Sequence, residues 1–283
     1  MPGSWRPFPN HMKKSPRTKT RQPGRTVSII GTGSYVPERI LTNADLEKVV
    51  ETSDEWITTR TGIKERRIAA EGEHTSHMAA KAAECAMAQA GITADEIDLI
   101  IVATVTPDTF FPSTACHVQR ILQAGNAACF DISAACSGFL YGIEVAQQFI
   151  ANHTYNTILV VGADKLSSIV NWQDRNTSVL FGDGAGAAIL RYRAGSHGVI
   201  TTFMGSDGNY GDILHMPGGG CALPVTPENF DQRLNTLHMN GRETFKQAVN
   251  SMLAAANKAL EQSGLSVADL TCIIPHQANL RII

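Results

Sequence analysis

The chain of 283 residues is 43% hydrophobic and 18% charged with a formal net charge of −2, the profile of an ordinary globular protein and not of a disordered or fibrous one. Its charge is uneven: residues 1–25 carry seven Lys or Arg and no acid, leaving 17 basic against 26 acidic residues in the remainder, a body too acidic to bind nucleic acid through its own surface. No apolar run reaches the roughly 18–20 residues of a membrane helix, no secretion signal is visible, and the cysteines (85, 116, 129, 136, 221, 272) include no CxxC pair, so structural zinc or a redox dithiol is not indicated and a reducing, cytoplasmic location is expected.

Residues 1–25, basic and proline-containing, read as a disordered tail without the amphipathic helix of an organelle transit peptide. The ordered chain is expected to open with VSIIGTG (27–33), a short strand ending in glycines, followed by a helical stretch from about Asn43 to Thr59. The Ala-rich run 76–91 predicts a helix capped by Ser76 or Thr75 and ended by Gly91. LIIVATV (99–105) is continuously apolar, the pattern of a strand buried on both faces. ACFDIS (128–133) predicts the next strand, and from Ser137 the residues Phe139, Leu140, Ile143, Ala146, Phe149 and Ile150 recur at helical spacing. TILVVGAD (157–164) continues the alternation, SVLF (178–181) and AAILRY (187–192) read as short β-runs, and 241–262 is a long amphipathic helix expected to pack on the core. Strand alternating with helix is α/β layering.

The segment AMAQAGITADEIDLIIVA (86–103) returns, altered, as ALEQSGLSVADLTCIIPH (259–276) at a constant offset of 173 residues: Gln89 to Gln262, Gly91 to Gly264, Ile101 to Ile274. Register held across helix, loop and strand indicates an internal duplication. It predicts a final strand at LTCII (270–274) and a chain divided into the tail 1–25, a first half 26–195 and a second half 196–283. By the same offset the equivalents of residues from about 111 to 193 would fall after Ile283, so the second half is expected to be incomplete.

Cys136 lies where the strand 128–133 gives way to small residues and a helix. A helix N-terminus supplies partial positive charge that favours the nucleophilic thiolate, although an inert buried cysteine fits the same pattern. His276 follows Pro275 at the C-terminal edge of the expected last strand, where open α/β sheets place their chemistry. A structural histidine is the alternative for that residue alone. GDGAGAAIL (182–190) formally matches the dinucleotide fingerprint through Gly182, Gly184 and Ala187, but it precedes a β-run and not a helix, so its glycines are read as a tight turn with close backbone packing. His74, His77 and His117 have no carboxylate or cysteine at ligand spacing and are read as surface histidines. Trp56 and Arg60 form an i, i+4 pair that could sandwich an adenine or meet a phosphate, or could be an ordinary surface stack.

Taken together, TGSYVPE (32–38), TSDEWITTRTGI (52–63), AACSGF (134–139), DRNTSVLFGDGAGAA (174–188), GRETFK (241–246) and PHQANLRII (275–283) resemble the β-ketoacyl-acyl carrier protein synthase III family, from about residue 27 to the last. The resemblance implies a thiolase-like, duplicated five-layer α-β-α-β-α fold, here with its second half incomplete. It implies the condensation of acyl-coenzyme A with malonyl-acyl carrier protein, with no metal or redox cofactor, in a homodimer that contacts neither nucleic acid nor membrane. It makes Cys136 the nucleophile and His276 the catalytic histidine, and it places Trp56, Arg60, Arg175 and Asn279 on coenzyme A. Gln277, Ala278, Asn279, Leu280, Arg281 and Lys246 then face the acidic carrier protein, Phe181 lines the acyl pocket, and Phe111 reaches across the dimer to the partner's pocket. The family's asparagine in an N-T-S motif and its glycine-rich oxyanion stretch lie past Ile283. Two further readings therefore stand: a condensation-deficient fragment or non-catalytic partner of a complete synthase, and a thiolase-fold cousin making quinolone- or polyketide-type products.

Overall fold

A computed structural model describes residues 26–193, 195 and 197–283; the basic tail expected at 1–25 lies outside the described residues. In chain order the elements are β1 (Thr26–Tyr35), β2 (Arg39–Thr42), α1 (Asn43–Leu46), α2 (Asp54–Thr61), β3 (Glu65–Ile68), α3 (Thr75–Ala90), β4 (Leu99–Ala103), α4 (Thr114–Leu122), β5 (Ala128–Ile132), α5 (Gly138–Ala151), β6 (Thr157–Lys165), α6 (Arg175–Ser178), β7 (Asp183–Arg193), β8 (Leu214–His215), β9 (His238–Met239) and α7 (Gly241–Ser263).

The main sheet has five strands in the order β1-β7-β6-β4-β5. β4 pairs parallel with β5 and β6, whereas β7 runs antiparallel to both β6 and β1. Side chains alternate between its faces with a period of two. Ile100, Val102, Leu159, Val161 and Ile189 pack with the alanines of α3 and with Val118 and Leu122 of α4. Leu99, Ile101, Ile158, Val160 and Leu190 pack on Ile143, Ala146 and Ile150 of α5. All five residues of β4 are buried, as a strand covered on both faces requires. The helices α3 and α4, the sheet, and α5 form three layers of the expected thiolase-like α/β arrangement.

Small residues let α3 lie close on β1. A Cβ built on Gly31 would stand 2.3 Å from the Ala86 carbonyl oxygen, and one on Gly33 only 2.1 Å from that of Ala82.

The internal duplication is visible in backbone detail. α3 ends at Gly91 (φ 66°), whose N–H donates to the Ala88 carbonyl while that of Ile92 donates to Met87. α7 ends at Gly264 (φ 70°), whose N–H donates to Glu261 while that of Leu265 donates to Leu260. Each is followed by a single 3₁₀ turn, Ala94–Glu96 and Val267–Asp269, closed by a reciprocal cap between Thr93 and Glu96 or between Ser266 and Asp269. All of these pairs keep the offset seen in the sequence.

Several local expectations are corrected. The stretch 43–59 is two helices, because Ser53 turns extended and caps α2 by accepting from the Trp56 N–H. His74, not Ser76 or Thr75, is the N-cap of α3, with its own N–H donating to His77 Nδ1. SVLF is no strand: Ser178 ends α6, and buried Val179 joins a small core with Leu46 and Ile57. The glycines 184 and 186 lie inside β7 and not in a turn. LTCII forms no strand, and Ile274 is 85% exposed. Among the described residues the second half pairs only the two-residue strands β8 and β9, so 270–274 has no neighbour to complete its backbone hydrogen bonds. For the same reason α7, expected as a packing element, buries none of its residues fully.

Candidate active site

Cys136 sits in a 3₁₀ turn, Ala135–Ser137, between β5 and α5. Two contacts fix that turn to the centre of the sheet. The Thr104 N–H donates to the Ile132 carbonyl at 3.1 Å, and a Cβ on Gly138 would lie 2.9 Å from Ala103 Cβ. Ala135 takes φ 44°, a left-handed conformation that costs a side-chain-bearing residue on the order of 1 kcal/mol. Strain of this kind collects where a fold holds a reactive group in place.

The surroundings of the Cys136 thiol act on its pKa in both directions. Cys136 is an exposed residue, yet the protein around its sulfur makes desolvation the largest influence and pushes the thiol up. The Asp164 carboxylate adds to the rise, and a hydrogen bond from the residue's own backbone opposes it.

Asp164, at the end of β6, gave no sign in the sequence beyond being a polar residue closing an apolar run. One of its oxygens, Oδ1, accepts from the Val105 N–H (2.8 Å), the Thr106 N–H (3.2 Å) and the hydroxyls of Thr104 and Thr106 (both 2.9 Å). Burial nevertheless pushes its carboxyl up. Asp131, a charge inside the apolar run of β5, is the analogous signal that could have been read. It accepts from the Thr114 and Ala115 N–H groups at 2.6 and 2.8 Å and so caps α4 from outside the helix.

The residues expected to meet coenzyme A converge from two segments. The Arg60 guanidinium carbon is 4.5 Å from the Trp56 ring centroid and that of Arg175 is 4.9 Å from it. Arg175 is further tied by an Nη1–H bond to the Glu51 carbonyl at 3.1 Å. Two exposed guanidinium groups on one half-buried indole form a planar, cationic platform.

The segment 276–283 lies against the same helix. The Leu280 N–H donates to the Thr61 carbonyl at 3.0 Å, Asn279 Oδ1 accepts from the Arg281 N–H at 2.8 Å, and the Arg281 guanidinium carbon is 5.8 Å from the Phe245 ring centroid. His276, Gln277 and Ala278 are exposed, and no hydrogen bond joins His276 to Cys136 among the described residues. Lys246 pairs with Glu243 across one helical turn at 3.7 Å. Phe181 is half-buried, while Phe111 is 85% exposed beside the equally open Phe110.

The 3-oxoacyl-[acyl-carrier-protein (ACP)] synthase III family matches residues 130–208, the span from β5 into the chain after β7. A beta-ketoacyl-[acyl-carrier-protein] synthase III of Caldanaerobacter subterraneus subsp. tengcongensis is 54% identical over 255 residues, covering 90% of this chain and 77% of the relative. One from Symbiobacterium thermophilum is 54% identical over 259 residues, covering 92% and 78%. The crystal structure of 3-oxoacyl-[acyl-carrier-protein] synthase III from Aquifex aeolicus superposes with a TM-score of 0.83 at 48% identity, covering 91% of this chain and 78% of that one. With the Cys136 turn, the Trp56 platform and relatives of this identity spanning nine-tenths of its length, the chain belongs to the beta-ketoacyl-[acyl-carrier-protein] synthase III family.

Proposed function

We propose that the protein catalyses the decarboxylative Claisen condensation that starts type II fatty-acid synthesis, joining an acyl group from acyl-coenzyme A, acetyl in the simplest case, to malonyl-acyl carrier protein. The observation that carries the reading is the convergence of Trp56, Arg60 and Arg175 on one cationic, aromatic platform in a family of this activity. An indole accepts an adenine face, and guanidinium groups accept phosphates.

In the first half-reaction the Cys136 thiolate attacks the thioester carbonyl carbon, the coenzyme A sulfur leaves with the bonding pair and takes up a proton, and the acyl group stays on Cys136. In the second, malonyl-carrier protein loses carbon dioxide. The electron pair of that carbon–carbon bond becomes an enolate, the enolate carbon attacks the acyl-Cys136 carbonyl, and the cysteine sulfur departs as thiolate. Both steps balance without electron transfer, so the chemistry calls for neither a redox carrier nor a metal.

His276 is assigned to the second step as the group that stabilises the enolate oxygen. Asn279 is assigned to the pantetheine arm. Gln277 to Arg281, with Lys246, form the basic and amide-rich surface for an acidic carrier protein. Phe181 belongs to the acyl pocket, and exposed Phe111 is suited to cover the pocket of a second subunit in a homodimer. A cytoplasmic site of action goes with this role, and no helix among the described residues is long and apolar enough to cross a membrane.

The test is intact mass after incubation with acetyl-coenzyme A, followed by addition of malonyl-carrier protein. One acetyl adduct, absent in Cys136→Ser and discharged by the malonyl substrate as the 3-oxoacyl product, is the expected result. Absence of the adduct from folded protein would overturn the proposal.

A further inference from the structure

Beneath the platform lies a charged group that the reaction scheme leaves unused. Arg66, on β3, is only 4% exposed, and its bonds are to a carbonyl and a side-chain amide. Its Nε–H (3.0 Å) and an Nη2–H both donate to the Val179 carbonyl, and an Nη1–H donates to Asn43 Oδ1. Asn43, itself buried, turns its amide the other way: Nδ2 donates to Asp54 Oδ1 at 2.7 Å, to the Ile63 carbonyl at 2.9 Å and to the Thr58 hydroxyl at 3.3 Å.

These bonds link two walls. Asp54 and Thr58 belong to α2, the helix that presents Trp56 and Arg60. Val179 directly follows α6, which begins with Arg175, and lies two residues before Phe181. Val179 and Trp56 also share the small core built on Leu46 and Ile57. The Arg66 fork runs between these walls through side chains that are themselves buried, separate from the exposed Arg175 bond to the Glu51 carbonyl.

A buried guanidinium is a costly way to fill space, since an apolar side chain of similar volume is often at least as stabilising. What an apolar replacement could not supply is direction. A planar fork that donates at fixed angles to one carbonyl and one amide sets both the distance and the rotation between the elements it joins.

We infer that Arg66 is a positioning residue for the nucleotide end of coenzyme A, holding α2 and the segment after α6 at the spacing that places Arg60 and Arg175 on the Trp56 ring. The inference rests on the coenzyme A reading given above. Cys136 is fixed separately, through Ile132 and Ala103, so the effect of Arg66 falls on recognition of the nucleotide and not on the thiol.

The experiment is calorimetric titration of wild type, Arg66→Met, Arg66→Lys and Asn43→Ser with coenzyme A and with pantetheine, which lacks the nucleotide. The expected result is that wild type prefers coenzyme A, that Arg66→Met lowers the ratio of the two affinities about tenfold (roughly 1.4 kcal/mol), and that Arg66→Lys recovers part of it. If Arg66→Met fails to fold, Asn43→Ser supplies the same readout by removing the other end of the bridge. Equal losses toward both ligands would mean a general structural role, and an unchanged ratio would mean no role; either overturns the inference while leaving the coenzyme A reading intact. A wild type that shows no preference for coenzyme A over pantetheine would overturn that reading and the inference with it.

Discussion

Leu280 occupies the space that a side chain at Gly62 would need: its Cβ lies 2.9 Å from the position of a Cβ on that glycine, and its N–H donates to the neighbouring Thr61 carbonyl at 3.0 Å. The seat exists because Gly62 ends α2 with φ 76°, a conformation open to glycine without penalty. Gly62→Ala combines a left-handed alanine, costing on the order of 1 kcal/mol, with a direct clash. The expected outcome is loss of hydrogen-exchange protection at the Leu280 amide while the amides of α5 keep theirs. Equal protection in variant and wild type would show that the segment does not depend on this seat.

Gly33→Ala addresses the first half. The added methyl would meet the Ala82 carbonyl at 2.1 Å and the Cys85 Cβ at 2.7 Å, so α3 must move off β1. Overpacking of this kind costs about 1–3 kcal/mol, and the upper part of that range is expected here because the obstacle is backbone. Urea unfolding followed by circular dichroism measures it, and a change below about 0.5 kcal/mol would be within the noise of ordinary substitutions.

Asp164→Asn tests the electrostatics of Cys136, the proposed nucleophile. A negative charge near Cys136 disfavours the thiolate, so removing that charge lowers the thiol pKa. An asparagine oxygen can still accept from Val105, Thr104 and Thr106, which preserves the turn. The alkaline-rising limb of the acetylation rate should move to lower pH, read by stopped-time mass spectrometry across a pH series. A limb that stays in place would mean that desolvation alone sets the thiol.

Cys129 gives a stability signature at high pH. Burial, followed by the neighbouring Cys116, pushes its thiol from an ordinary value of 9.0 up to about 12. Because the folded value is the higher one, the neutral thiol's contribution is complete below about pH 9 and is lost as pH rises through about 12. Cys129→Ala should therefore flatten the decline of unfolding free energy in that window relative to wild type. Parallel declines in the two proteins would assign the alkaline loss to other groups.

The first half was legible because each of its elements carries its own periodicity. Continuous apolar runs marked β4 and β6, helical spacing marked α5, and Gly91 marked the end of α3. What failed were segments whose state is decided elsewhere in the chain. Val179 and Leu180 fill a satellite core, which looks the same in sequence as a strand. Residues 270–274 have strand composition, but pairing requires a neighbour that composition does not describe. At the site, Cys136 and Trp56 were readable because thiol and indole are chemically distinctive. Arg66 and Asp164 were not, because a single charge shows its role only when its hydrogen-bond partners from distant segments are known.

The sheet order gives the segments of Cys136 and His276 unequal holds on the fold. Cys136 follows β5 and leans on β4, which is flanked on both sides, whereas 276–283 is joined to α2 by one backbone bond and the Leu280 seat. Opening energies in a protein span the range from terminal fraying to global unfolding, and the segment 276–283, with the fewer ties, is expected to open before the Cys136 turn. The Cys136 turn is thus tied to a strand covered on both faces, through Ile132 and Ala103. Release of residues 276–283 from α2 is therefore expected to leave the Cys136 turn in place, so the two can be perturbed separately.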